Sequence, residues 1–280
     1  MTTARKALAN PQAHTLHLTQ VGRGPVLVLI HGVAGSGRIW APVVPLLAKR
    51  LTVVQLDLLG YGHSPKPHLE YTPEVHVTAI RATLQQHGVR PPFAVAGLSM
   101  GSLLALEYAR RWPAEVTQVL CIGLPYYRDA AEARHYLRRS PWARLALEWG
   151  GLGRLIITTA WGVGRRHRWL ATSFSRGRMY DPGQAQESAM NTHQAFRTTL
   201  LNAMINNPAE PLVADAAATP QYYLHGANDR WASTSAVQQM LARYPHCQLT
   251  VLPNIDHNTV VFAPEATAAW MLHTLEQADA

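Results

Sequence analysis

Runs of apolar residues, set apart by helix-like stretches, constrain this chain more than any other feature. VLVLI (26–30), LTVVQL (51–56), FAVA (93–96) and VTQVLCI (116–122) are close to continuous. A strand needs that pattern when both of its faces are buried. QYYLH (221–225) and QLTVL (248–252) return to a strand pattern later, and 15–21 offers a short piece of first hairpin. Helix signals lie between them. Thr72-Pro73-Glu74 opens one, with threonine as cap and proline where a missing N–H is harmless. Val77, Ile80 and Leu84 form its apolar stripe, and Gly88 ends it. Further helices are expected at about 40–49, with Pro42 and Pro45 near the start, after FAVA as far as Trp112-Pro113, at 233–243, and from Pro264 with Trp270, Met271 and Leu275 on one face. Strands alternating with helices predict an α/β fold: a mostly parallel sheet flanked by helices.

The alternation breaks at 125–207, which reads as helical, rich in Arg and Trp, and without a strand. The organisation predicted is a core of 1–124 and 208–280 with an inserted helical cap at 125–207. With 48% hydrophobic residues, the chain has enough apolar surface for one large core. The inserted segment carries 12 Arg, no Lys and 5 acidic residues, a surplus of seven out of the chain's net +8. Such a patch suits an acidic partner or is a solvated face. Nucleic acid is not expected, because no recognition element accompanies the charge. The first 14 residues show no apolar signal-peptide core. No window reaches the ~18 apolar residues of a membrane span, the nearest, 150–164, being short and interrupted by Arg154. Cys121 and Cys247 lie in apolar runs without a CxxC spacing. These features fit a reducing, cytoplasmic setting.

Gly97-Leu98-Ser99-Met100-Gly101 places a lone hydroxyl between two glycines where a strand gives way to a helix. A side chain projects above the sheet at such a point only on a very sharp turn, and glycines on either side remove the Cβ atoms that would collide. The following helix aims its free N–H groups and positive end at the same spot. Serine becomes a nucleophile only when a base takes its proton, and the base needs an orienting group. His257, after the last strand, and Asp229, after QYYLH, supply them at the carboxyl edge of the sheet. Asp256 and Asp215 are rivals to Asp229, the first read as a turn residue and the second as part of a linker. The backbone N–H groups of Val33 and Met100 are expected to hold an oxyanion. His31, Asp57 and Ser64 read as structural, and His225 as packed beneath its loop. Nothing has the pattern of a dinucleotide loop, a P-loop or a zinc site, so neither cofactor nor metal is expected.

HGVAGS, DLLGYGHS, GLSMG, HGANDRW and DHN stand in an order and spacing that resemble the α/β-hydrolase superfamily, in its capped serine-esterase-like branch. The resemblance runs from about 24 to 276 apart from the insertion. It implies that Ser99, Asp229 and His257 are nucleophile, acid and base, with 125–207 as a cap. Leu98 stands where many relatives have histidine. A serine nucleophile argues against the epoxide hydrolase and dehalogenase branches, which use aspartate.

The expected activity is cleavage of a carboxylic ester, thioester or lactone through an acyl-enzyme on Ser99. A C–C bond hydrolase, a cofactor-free perhydrolase or an acyltransferase would use the same triad. A non-catalytic receptor or scaffold is the rival from another class. Trp142, Trp161 and Tyr61 are the candidate substrate contacts. Trp149 and Trp169 share the cap with the first two, and all its tryptophans could equally be the cap's own core. Arg138-Arg139 and Arg165-Arg166-His167-Arg168 are candidates for an anionic handle on a small acyl substrate, a carrier, or an anionic membrane surface. Oligomeric state is open.

Overall fold

A computed structural model describes residues 15–167 and 182–277. Its strands are β1 (Leu18–Val21), β2 (Val26–Ile30), β3 (Thr52–Leu56), β4 (Phe93–Leu98), β5 (Val116–Ile122), β6 (Gln221–Gly226) and β7 (Cys247–Leu252). They form one sheet in the order β1-β3-β2-β4-β5-β6-β7. β1 runs antiparallel to β3, and every other pairing is parallel. The apolar runs are explained by two cores. Val28 and Ile30 of β2 face one, with Val54, Val95, Val119 and Tyr223. Leu27 and Leu29 face the other, with Val53, Ala96, Leu120 and Leu224. Alternate side chains of one strand thus enter opposite cores, so apolar residues follow one another along it.

The helices Pro73–Gln86 and Met100–Arg111 cover the first face. Pro264–Gln277 covers the second, where Met271 packs near Trp40. The Thr72 hydroxyl accepts from the Val75 N–H at 3.3 Å, as the Thr-Pro-Glu start implies. The helix expected at 40–49 does not form as one unit. It is a 3₁₀ turn, Gly37–Trp40, followed by a single α-turn, Val44–Leu47. Pro42 and Pro45 each lack an N–H, and two such gaps three residues apart break the ladder.

Between β5 and β6 the described residues form helices and no strand: Ala130–Leu137, Pro141–Glu148, Gly150–Arg166, Pro182–Ser188, His193–Thr199, a wider turn at Leu200–Ile205, and Ala209–Asp215. Three starts carry their own caps. Asp129 accepts from the Glu132 N–H, Ser140 from the Ala143 N–H and Thr192 from the Ala195 N–H. Trp169 and Arg168 lie outside the described residues. No described helix is long and apolar enough to cross a membrane.

The strand order sets where a site can form. β2 and β4 are neighbours, and the chain leaves β2 toward β3 on one side and β4 toward β5 on the other, so the two connections diverge. In open α/β sheets the crevice at such a switch point, beyond the carboxyl ends of the strands, is where ligands bind. Here it opens between the loops following Ile30 and Leu98.

Close approach at this point makes two glycine substitutions differ in sign. A Cβ on Gly101 would stand 2.2 Å from the Ile30 carbonyl oxygen, whereas one on Gly151 meets nothing within 4 Å. Gly101→Ala should cost roughly 1–3 kcal/mol. Gly151→Ala, in a helix, should stabilise by up to about 1 kcal/mol. Urea denaturation of both variants measures the two values.

Candidate active site

The turn at Ser99 is strained. Its φ is 55° and its ψ −122°, outside the regions open to ordinary L-residues. A Cβ on Gly97 would lie 2.1 Å from the Gly101 carbonyl oxygen, so the chain doubles back too tightly for any side chain there. Backbone bonds hold the turn: the Ser99 N–H donates to the Ile122 carbonyl at 2.7 Å, and the Ser102 N–H to the Ser99 carbonyl at 2.8 Å. The Ser99 hydroxyl makes no capping bond to the helix Met100–Arg111. This removes the plainest alternative, that the serine is there to cap the helix.

His257 follows β7 and Asp229 follows β6, and the structure brings them together. His257 Nδ1 donates to Asp229 Oδ2 at 2.7 Å. A carboxylate only accepts, so the proton is on Nδ1 and the Nε2 lone pair is available. The other carboxylate oxygen accepts from the N–H groups of Trp231 at 2.8 Å and Ala232 at 2.9 Å. Burial pushes the Asp229 carboxyl up; the charge and hydrogen bond of His257, with the Ala232 amide and His225, outweigh it and hold the group below its usual value. Of the rivals, Asp256 accepts from the backbone N–H of His257 at 2.7 Å. Asp215 ends the helix Ala209–Asp215, away from the cavity wall.

Ser99 and His257 both line one cavity of about 300 Å³. Gly32 and Val33 reach it from the loop after β2. A Cβ on Gly32 would be 3.2 Å from the Ser99 Cβ, so this loop runs directly beside the serine. Met100 opens its helix, and its N–H therefore has no acceptor within that helix. Trp142 and Trp161 are on the cavity wall, with Phe196 edge-on to Trp161 at 5.6 Å.

Tyr61 departs from expectation. It is fully buried, its hydroxyl donates to the Ala195 carbonyl at 3.4 Å, and it is not part of the cavity wall. Its ring packs edge-on to His31 at 5.5 Å, below the site. The glycines around it turn the loop inward, so the ring enters the core. His31 is structural, as expected. Its Nδ1 donates to the Gly32 carbonyl at 2.7 Å and its Nε2 accepts from the Leu58 N–H at 2.9 Å. Burial keeps its pKa low. Asp57 accepts from the N–H groups of Gly37 and His63, and Ser64 donates to the Asp57 carbonyl. His17, Asp57 and His63 bring three ligand-type atoms within 4.8 Å of one another. Both Asp57 oxygens already hold those amides, and the cluster is not on the cavity wall.

Several contacts lie beyond what the sequence signals. Gly123, with φ 60°, passes the imidazole so closely that a Cβ there would be 3.1 Å from His257 Cε1. Leu137, Leu200, Met204, Trp231 and Asn258 complete much of the wall. The one available signal for Gly123 is a glycine directly after a buried strand.

A serine at a strained strand-to-helix turn, at the switch point of a mainly parallel sheet, defines a hydrolase-type site. Over residues 27–270 the chain matches the model of the alpha/beta hydrolase family, and it belongs to that family. It is 28% identical over 263 residues to a pimeloyl-[acyl-carrier protein] methyl ester esterase of Stenotrophomonas maltophilia, spanning 92% of this chain and 95% of that one. An enzyme of the same name from Nitrosomonas europaea is 25% identical over 269 residues, spanning 90% and 96%. Among solved structures, E-2-(acetamidomethylene)succinate hydrolase superposes with a TM-score of 0.75 at 18% identity, covering 95% of this chain and 97% of that one; this likeness concerns the fold. The protein is an enzyme, a carboxylic ester hydrolase.

The Asp229 carboxyl links stability to pH. A depressed carboxyl stabilises fully above its unfolded value of 3.8, and that contribution is lost as the pH falls through the lower folded value. Asp229→Asn removes this dependence. Thermal melts from about pH 5 downward should show a shallower acid decline in the variant than in the wild type.

Proposed function

We propose that Ser99 is the nucleophile, His257 the base and Asp229 its orienting acid in hydrolysis of an ester with an apolar acyl group. His257 Nε2 takes the proton from the Ser99 hydroxyl as the oxygen attacks the ester carbonyl. The resulting oxyanion accepts from the N–H groups of Val33 and Met100. The imidazolium returns the proton to the departing alkoxide, and the alcohol leaves. Water then loses a proton to His257, attacks the acyl-enzyme and releases the acid and Ser99. One observation carries this reading: a hydrogen-bonded Asp229–His257 pair shares a cavity with a strained serine that does not cap its helix.

The cavity wall supports the acyl class. Trp142, Trp161, Phe196, Leu200 and Met204 line it, and it contains no Asp, Glu, Lys or Arg among the described residues. A charged end inside would lose its hydration without finding a partner. The buried part of the substrate is therefore uncharged, and any anionic part lies outside.

The relatives' names favour a second element, an acyl group linked to a carrier protein, for which an anionic handle would suit the arginines. The arginine runs support this only partly. Arg138 pairs with Glu148, Arg139 binds the Arg230 carbonyl and stacks on Tyr136, and Arg165 binds the Ala189 carbonyl. Arg134 and Arg144 are exposed, have no ion pair among the described residues, and are better placed to meet such a handle.

Ser99→Ala should lower kcat/KM on simple esters by roughly 10⁴-fold or more and abolish labelling by a fluorophosphonate probe. Retained turnover in that variant would reject the mechanism. Trp161→Ala should raise KM for long acyl chains by about tenfold while leaving acetate esters little changed, since lost apolar contact is felt only by the longer chain. Arg134→Ala with Arg144→Ala should raise KM for a carrier-linked ester and leave the matching neutral ester unaffected. An equal effect on both would exclude the carrier.

A further inference from the structure

The helix Gly150–Arg166 is apolar on two opposite sides. Ala160, Trp161 and Gly164 line the cavity, and Ile157 is fully buried. The outward side carries Leu152 at 55% exposure, Leu155 at 64%, Ile156 at 36% and Val163 at 38%, with Trp149 at 47% at the start. Among the described residues eight large hydrophobic side chains are exposed, and these are five of them. At the helical repeat, 152, 155, 156 and 163 fall within an arc of about 100° and a length of about 16 Å. A helix on the outside of a protein surrounded by water ordinarily turns a polar face outward, and an apolar cluster there marks a contact surface.

Charge selects the partner. The helix carries Arg154, Arg165 and Arg166 and no acidic residue. Exposed Arg144 lies on the preceding helix, and Glu148 at the end of that helix is paired with Arg138. A second copy docking face to face would set these arginines against each other with no carboxylate on the helix to offset them. Arginines alone would suit an acidic protein, but they leave the aliphatic cluster unexplained. Apolar side chains with flanking cations match a lipid interface carrying anionic headgroups.

We propose that the outward face of this helix docks on an anionic lipid surface. Leu152, Leu155, Ile156, Val163 and Trp149 enter the boundary between headgroups and acyl chains, and Arg144 and Arg166 lie at the level of the phosphates. The opposite side of the same helix is cavity wall, so docking sets the cavity one helix diameter, about 10 Å, from the lipid. Apolar acyl esters concentrate in that layer. The docking itself does not depend on the catalytic reading, because it is measured without turnover.

The test is co-sedimentation with vesicles of phosphatidylcholine, with and without phosphatidylglycerol. The wild type should pellet with the anionic vesicles, less with the zwitterionic ones, and less again as salt is raised. Leu152→Asp with Leu155→Asp should weaken vesicle binding at least tenfold while keeping wild-type turnover of a water-soluble ester without vesicles, which confirms that the variant is folded. Absence of wild-type binding to anionic vesicles overturns the proposal, as does binding that the double variant leaves unchanged. A double variant that loses only turnover of a carrier-linked ester, from a wild type that ignores vesicles, assigns the face to an acidic protein instead.

Discussion

Ser99 sits at a φ of 55° in a turn that an isolated peptide would leave at once. Backbone conformations of this kind cost of order 1–3 kcal/mol and last only where the surroundings over-determine them. Here they do. Gly97 and Gly101 let the strand end and the helix start approach within contact of each other and of the β2 carbonyls. The Ile122 carbonyl of β5 takes the serine N–H. The turn therefore requires β2 and β5 as the two neighbours of β4, which is the observed order. Strain at one residue and topology of the whole sheet are the same constraint.

That constraint also gathers the remaining groups. The loop after β2 passes beside Ser99, and the loops after β6 and β7 carry Asp229 and His257 to the same rim. The carboxylate of Asp229 is held from both sides, by two backbone amides on one oxygen and the imidazole on the other. Behind it, fully buried His225 lies 3.8 Å away, and burial lowers its pKa to about 4, so it stays neutral beside the pair. Gly123 leaves room for the ring of His257. Trp142, Trp161 and Phe196, from helices between β5 and β6, make much of the cavity wall apolar, where a low dielectric strengthens each of these interactions.

Legibility followed range. Buried strands are legible because two-sided burial demands an unbroken apolar run, and all of those expected appear. The Ser99 turn is legible because glycines on both sides have few other reasons to flank a hydroxyl between strand and helix. The segment at 40–49 does not form the single helix expected of it, because Pro42 and Pro45 do not both fit within one helix start. Tyr61 is misread for a different reason: a loop rich in glycine and next to the site can turn its aromatic ring inward or outward, and only packing against His31 and Ala195 decides. The arginine runs divide in the same way, because neighbours in sequence found separate partners in Glu148, Tyr136 and the carbonyls of Arg230 and Ala189.

The sequence by itself determined the α/β class, the glycine-flanked serine turn and the candidate serine and histidine, since each rests on local steric rules or on chain order. Tertiary structure alone decided that Asp229, and not Asp256, faces the imidazole, that Trp142 and Trp161 line the cavity while Tyr61 does not, and that the helix Gly150–Arg166 leaves an apolar face to the outside. Those outcomes depend on which distant segments occupy the same space, and a one-dimensional pattern carries no record of that.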